Sequence, residues 1–183
     1  MDKKLNEILN LVEVYIQEKQ SKETWEPEKD WVSYSGPIFD TNEYTAAVKQ
    51  LLSGWLIFGQ QGRKFEIDFS KYLGKLHGVL TNSGSSANLL MVTATKSRKF
   101  AKQLKDGDKI ITPVVCFPTT INPIIQNNLV PVFVDVEFPS LNLDLDKVEE
   151  ALKQDSSIRG IMFAHVLGNL VIFLHARFFQ HTI

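Results

Sequence analysis

The stretch VLTNSGSSANLLM, Val79 to Met91, joins a short β-branched and apolar run to four small residues and then to a helix-like tail. Val79, Leu80 and Thr81 suit a pleated, half-buried strand, whereas Ala87 to Met91 suit a helix. Ser83, Gly84, Ser85 and Ser86 therefore fall at a strand-to-helix junction. There the first amides of the helix lack intrahelical acceptors and the helix end carries positive partial charge, so the junction can hold a phosphate dianion. Gly84 lets the backbone come close to a ligand, and the serines add hydroxyls without bulk. A plainer interpretation stands beside this one: serine and asparagine are ordinary helix caps, and any such junction needs some.

Working outward, short apolar runs alternate with helical patterns. GVLTN (78–82), KIITPVV (109–115), VPVFVDV (130–136) and IRGIMFAHV (158–166) are strand candidates, mostly apolar on both faces. Helices are expected over residues 85–104, 119–127 and 144–154. Two-sided apolar strands separated by helices imply a parallel sheet covered on both faces, which is α/β architecture. In such sheets ligands collect beyond the carboxyl ends of the strands, where the 83–86 junction would lie. Upstream, Leu5, Ile8, Leu9, Val12, Tyr15 and Ile16 recur at helical spacing and predict an amphipathic helix over 3–19. SKETWEPEKDWVSYSGP, with prolines at 27 and 37, predicts an extended arm. DTNEYTAAVKQLLSG predicts a second helix, with Asp40 and Thr41 as caps and Gly54 as its stop. RKFEIDFSKYLG predicts a third, ending at Gly74.

The 183 residues, 44% hydrophobic, suffice for one domain with a real core. Twenty basic and 21 acidic side chains nearly cancel and form no block, so nothing electrostatic argues for nucleic acid or an anionic membrane as partner. Cys116 is the one cysteine, and the N-terminus MDKKLNEILN has no apolar signal core; together they lead us to expect a reducing cytoplasm. The run LVIFLHARFF is broken by His175 and Arg177 and falls short of the about 20 apolar residues of a spanning helix. No internal repeat stands out, and no metal site is nominated.

The second informative stretch is TPVVCFPTTINPIIQN, residues 112–127, which ends one strand and starts the next helix beside the junction. Phe117 would project where a flat, phosphate-anchored ring can stack on it; as a plain aromatic it would instead sit in the core. Cys116 reads as a small buried hydrophobe. His165, in AHVLGN at a strand end, either faces the same crevice or is a hydrogen-bonded structural residue. A P-loop ending, a three-glycine dinucleotide fingerprint and a Gly-x-Ser-x-Gly elbow are all missing.

Taken together, GWLIFGQQGRKFE, LTNSGSSANLL, GDKIITPVVCFPTTINPIIQNNLVPVFVDVE and IMFAHVLGN resemble the N-terminal half of the sugar aminotransferase family named for DegT, DnrJ, EryC and StrS proteins. SGSSANLL followed by FPTTINPIIQN is most like its dehydratase branch, the CDP-4-keto-6-deoxyglucose 3-dehydrases of dideoxysugar and lipopolysaccharide O-antigen synthesis. The resemblance covers about residues 5 to 169. It implies the aspartate-aminotransferase fold, a homodimer with sites at the subunit interface, and pyridoxal or pyridoxamine 5'-phosphate as cofactor. By position, the backbone of Gly84, Ser85 and Ser86 would hold the cofactor phosphate and Phe117 would stack on the pyridine ring. In the dehydratase branch the cofactor serves as electron sink while the C3 hydroxyl of a nucleotide-linked 4-keto sugar is eliminated. Reduction there depends on a [2Fe-2S] cluster and a separate reductase.

The same resemblance implies functional groups that this sequence does not supply. The aspartate that pairs with the pyridine nitrogen, and the lysine or, in the dehydrase, histidine of proton transfer, belong to later strands. Four cluster thiolates cannot come from Cys116 alone. The implied organisation is a helix and arm over 1–40, an incomplete cofactor-binding α/β domain over 41–169, and an atypical tail over 170–183, read as out-of-frame translation or, alternatively, as a true short C-terminal strand. A sheet lacking later strands is expected to leave an open edge and an uncovered apolar face, with weak solubility and little activity. The alternatives are an ordinary sugar aminotransferase, an inactive phosphate-binding remnant, and, more distantly, an unrelated nucleotide-binding α/β domain.

Overall fold

The computed structural model describes residues 2–33 and 35–171, and these fall into two compact units divided between Gly78 and Val79. The first unit is helical. Helix α1 (Lys3–Lys22) starts at Asp2, whose carboxylate accepts the Lys4 N–H at 3.0 Å, and buries Ile16; it packs against α2 (Thr41–Leu52). At α2 the Asp40 carboxylate accepts the Asn42 N–H at 2.6 Å and the Glu43 carboxylate accepts the Asp40 N–H at 2.7 Å, a reciprocal cap written in the sequence as D-x-x-E. The connecting arm is exposed, and its end is anchored where Gln20 Nε2 donates to the Phe39 carbonyl at 2.7 Å. Helix α3 (Gln60–Tyr72) stacks Phe65 on Phe69 one turn apart, ring centroids 5.3 Å.

The second unit holds α4 (Gly84–Thr95), β1 (Lys109–Pro113), α5 (Pro118–Gln126), β2 (Val130–Val134), α6 (Leu145–Gln154) and β3 (Ile158–Ile161). All strands are parallel in the order β2-β1-β3, with Lys109 opposite Val130, Pro113 opposite Val134, and Ile111 opposite Ile161. Successive residues of β1 feed opposite faces, as the two-residue strand period demands. Ile110 joins Val92, Ile124, Leu129 and Met162 on the face of α4 and α5. Ile111 joins Val134, Leu143, Val148 and Ile158 on the other face, under α6. The Asp144 carboxylate caps α6 by accepting the Asp146 and Lys147 amides.

The expected α/β architecture is present, with particular departures. Residues 78–82 lie outside the three-stranded ladder and run irregularly into α4, with Val79 exposed. Strand propensity is local, but a strand exists only where a neighbour completes its hydrogen bonds. The remaining strands end two to five residues earlier than their apolar runs. The expected helix over 85–104 stops at Thr95, because the chain doubles back: Leu104 N–H takes the Thr95 carbonyl at 3.0 Å and Gln103 Nε2 takes that of Lys96 at 2.8 Å. Lys96 Nζ also donates to the Asn127 carbonyl at 2.5 Å, fastening this turn to the end of α5. Cys116, expected to be buried, is half-buried. A groove of about 500 Å³ opens on the α4 and α5 side of the sheet, lined by Met91, Phe100, Leu104, Ile161 and Met162 among others. The atypical tail, from residue 172 onward, lies outside the described residues.

Two predictions follow from this packing. Ile124→Ala removes a fully buried side chain and should cost about 2–5 kcal/mol, whereas Ile125→Ala, at an exposed position, should stay within about 0.5 kcal/mol. Urea midpoints at unchanged m-value test the contrast. Asp155 accepts from Lys109 Nζ at 2.5 Å and from the Ser157 hydroxyl and amide, and these bonds, that from Lys109 first, lower its carboxyl to about 2. A depressed carboxylate contributes stability above its unfolded pKa of about 3.9 and loses it as pH falls through the folded value. The stability gap between wild type and Asp155→Asn should therefore be constant near neutrality and close between about pH 4 and pH 2.

Candidate functional site

The start of α4 is built from short side chains that use some of its amides and leave others. Ser83 Oγ accepts the Ser86 N–H at 3.1 Å and lies 3.2 Å from Ser86 Oγ; the Ser83 carbonyl accepts the Ala87 N–H at 3.0 Å. The capping function of Ser83 is therefore real. The Gly84 and Ser85 amides, the first two of the helix, have no intrahelical acceptor by position and lie at an exposed end. A Cβ built on Gly84 meets no atom within 4 Å, and its backbone is not left-handed. Neither crowding nor the turn requires glycine at 84. What the missing side chain leaves is open approach to the two amides.

Helix α5 starts beside it. Phe117 is its N-cap, Pro118 fills the first position, where no N–H is needed, and the Thr120 N–H donates to the Phe117 carbonyl at 2.9 Å. Phe117 is 70% exposed, so it is not the core aromatic its surroundings in the sequence allowed. Asn88 ties the two starts together: its Nδ2 donates to the Thr119 carbonyl at 3.2 Å. Sequence reasoning missed Asn88. Its signal was its spacing, since it lies four residues beyond Gly84 on the same helix face. Because α5 leaves the C-terminal end of β1, this bond puts both helix starts at the strand-exit edge of the sheet.

Neither start carries an acid of its own. Helices α1, α2 and α6 are capped by Asp2, Asp40 and Asp144, whereas α4 and α5, with Ser83 and Phe117 at the cap, have no acid there or in the first turn, as is also true of α3 with Gly59. Their positive ends are not neutralised by the chain's own carboxylates. Burial pushes the Cys116 thiol up, opposed in part by the Thr120 hydroxyl, so the thiolate needed for nucleophilic chemistry is disfavoured. His165 lies four residues past β3, exposed, with Nδ1 accepting the Val171 N–H at 3.1 Å and its ring edge-on to Phe163. Among the described residues, no cluster of His, Cys, Asp and Glu is placed to hold a metal ion, and no helix is long and apolar enough to cross a membrane.

Known proteins are similar to this chain in sequence and fold. The DegT/DnrJ/EryC1/StrS aminotransferase family pattern matches residues 38–176. The lipopolysaccharide biosynthesis protein RfbH of Salmonella typhimurium is 42% identical over 164 residues, 89% of this chain and 37% of that protein. The dTDP-4-dehydro-2,6-dideoxy-D-glucose 3-dehydratase of Saccharopolyspora spinosa is 43% identical over 136 residues, 74% of this chain and 29% of that protein. Among solved structures, E. coli GDP-4-keto-6-deoxy-D-mannose 3-dehydratase with bound hydrated PLP superposes with a TM-score of 0.63 at 35% identity, covering 69% of this chain and 32% of that one. The chain thus spans about a third of the length of these relatives. Its fold is that of the PLP-dependent sugar aminotransferases and dehydratases, and the chain belongs to the DegT/DnrJ/EryC1/StrS aminotransferase family.

Proposed function

We propose that this chain is the phosphate-anchoring part of a pyridoxal or pyridoxamine 5'-phosphate-dependent nucleotide-sugar 3-dehydratase in deoxysugar and lipopolysaccharide biosynthesis. The observation that carries this reading is the pairing of two uncapped amides, at Gly84 and Ser85, with an exposed Phe117 on an adjoining helix start. When bound, the cofactor supplies an electron sink for loss of the C3 hydroxyl of a 4-keto sugar.

The chain's own residues bind and orient. The Gly84 and Ser85 amides take the phosphate; Ser86, whose amide already serves Ser83, offers its hydroxyl; Phe117 offers a face to the pyridine ring. Asn88 keeps the two parts of this platform in register. The names of the 3-dehydratase relatives favour a nucleotide-linked 4-keto-6-deoxyhexose as substrate. The reading also includes a homodimer, a cytoplasmic setting, and a [2Fe-2S] cluster with a separate reductase, the cluster held by cysteines other than Cys116. Residues 1–40 serve as helix and arm and 41–169 as the cofactor domain. The proton-transfer residue is assigned to no residue of this chain; lysine there would specify the aminotransferase instead.

Pyridoxamine 5'-phosphate is the suitable probe, because it lacks the aldehyde that would label surface lysines. Titrated into the ¹⁵N-labelled chain, it should shift the Gly84 and Ser85 amide resonances saturably, with inorganic phosphate competing. Gly84→Ala should leave thermal stability unchanged or slightly raised, since glycine is the poorer helix former, yet weaken binding at least about tenfold by filling the space beside the amides. Shifts that avoid residues 84–86, or unaltered affinity in Gly84→Ala, would reject the assignment.

A further inference from the structure

We propose that His165 is a ligand-facing hydrogen-bond donor of this site and that Asn142 is its positioning residue. The identity of the ligand rests on the cofactor reading above; the positioning does not.

Strands β1 and β3 are parallel neighbours, with Ile111 opposite Ile161, and both lead on to exposed rings at the same edge: Phe117, six residues past Ile111, and His165, four past Ile161. Parallel neighbours place both exits on one edge. Nδ1 of His165 is occupied as acceptor by the Val171 N–H, so the neutral ring carries its proton on Nε2. Among the described residues Nε2 has no hydrogen-bond partner. The edge-on contact with Phe163, centroids 5.1 Å apart, fixes the ring plane. The result is an oriented donor on the same sheet edge as Phe117, suited to an acceptor oxygen on the phosphorylated ring compound proposed at α4.

The loop that carries His165 does not hold this shape unaided. Leu167 and Gly168 both have left-handed backbone, φ 54° and 79°, a conformation leucine adopts only where its surroundings impose it. Asn142 imposes it. Its side chain is buried and reaches both ends of the turn: Oδ1 accepts the Val166 N–H at 3.2 Å and Nδ2 donates to the Asn169 carbonyl at 3.0 Å. Asn169 returns a bond from its own Nδ2 to the Ser140 carbonyl at 3.3 Å. Asn142 is itself fixed in the loop after β2, where its carbonyl accepts the Glu137 N–H at 2.9 Å and its N–H donates to Ser140 Oγ at 3.2 Å. The exits of β2 and β3, which flank β1, are thereby tied together, and the tie sets how Val171 meets His165.

Multiple-bond ¹H–¹⁵N spectra of the imidazoles in the whole chain test both halves. Wild type should show His165 as the Nε2–H tautomer, and Asn142→Ala should shift it to a mixture while the Ile110 and Ile124 core resonances stay in place. A Nδ1–H ring in wild type, or an unchanged tautomer in Asn142→Ala, overturns the positioning role; should that variant unfold, the wild-type tautomer decides alone. On adding pyridoxamine 5'-phosphate, His165 Nε2 should move together with the Gly84 amide. His165→Ala should weaken binding about five- to tenfold and His165→Gln, which keeps a donor, about twofold or less. Movement of Gly84 without His165 overturns the donor role and leaves the cofactor reading standing. If neither moves, the cofactor reading falls and the donor role with it, while the tautomer still decides the positioning role.

Discussion

The pairing of β1 with parallel strands on both sides is the constraint from which the second unit takes its form. Each parallel neighbour must be reached by a crossover, and the crossover helices α5 and α6 fall on opposite faces of the sheet, as the split of Ile110 and Ile111 between two cores records. Parallel strands also leave the sheet on one edge. The 114–117, 135–144 and 162–171 segments therefore assemble there whatever their individual sequences. That edge is where ligands of open α/β sheets collect, so topology nominates it before any side chain is considered.

Much of this was legible because it rests on local signals. The 3.6-residue spacing in α1, the D-x-x-E cap of α2, the Asp144 cap of α6 and the two-sided apolar runs of the strands each specify one element with little help from elsewhere. The failures share a cause: they needed a partner that sequence does not name. GVLTN has strand residues but stands outside the ladder; the residues after Thr95 could extend a helix but are turned back by bonds from Leu104 and Gln103. The site divides in the same way. Gly84, Ser85, Ser86 and Phe117 were visible as a motif, whereas Asn88 and Asn142 act across 31 and up to 27 residues through side-chain-to-backbone bonds that no spacing rule announces.

The two faces of the sheet differ in completeness. Under α6, Val148 meets Ile111, Val134, Leu143 and Ile158 in a closed cluster. On the α4 side the core formed by Val92, Ile110, Ile124, Leu129 and Met162 borders the open groove. Relatives more than twice as long share this fold, and parallel sheets generally have both faces covered. The groove is thus a property of the packing, distinct in character from the polar, shallow edge where α4 and α5 begin.

At that edge α4 and α5 begin without an acid, as α3 does at Gly59. A helix start attracts negative charge, and α1, α2 and α6 satisfy theirs with aspartates. Had acids capped α4 and α5, both would gain a few tenths of a kcal/mol to about 1 kcal/mol of helix stability at low ionic strength. Ser83 and Phe117 forgo that gain, and Ser83 uses its oxygen on the Ser86 amide, leaving those of Gly84 and Ser85. In the proposed cofactor reading, a phosphate dianion at the Gly84 and Ser85 amides would take the place of a carboxylate cap at the α4 start.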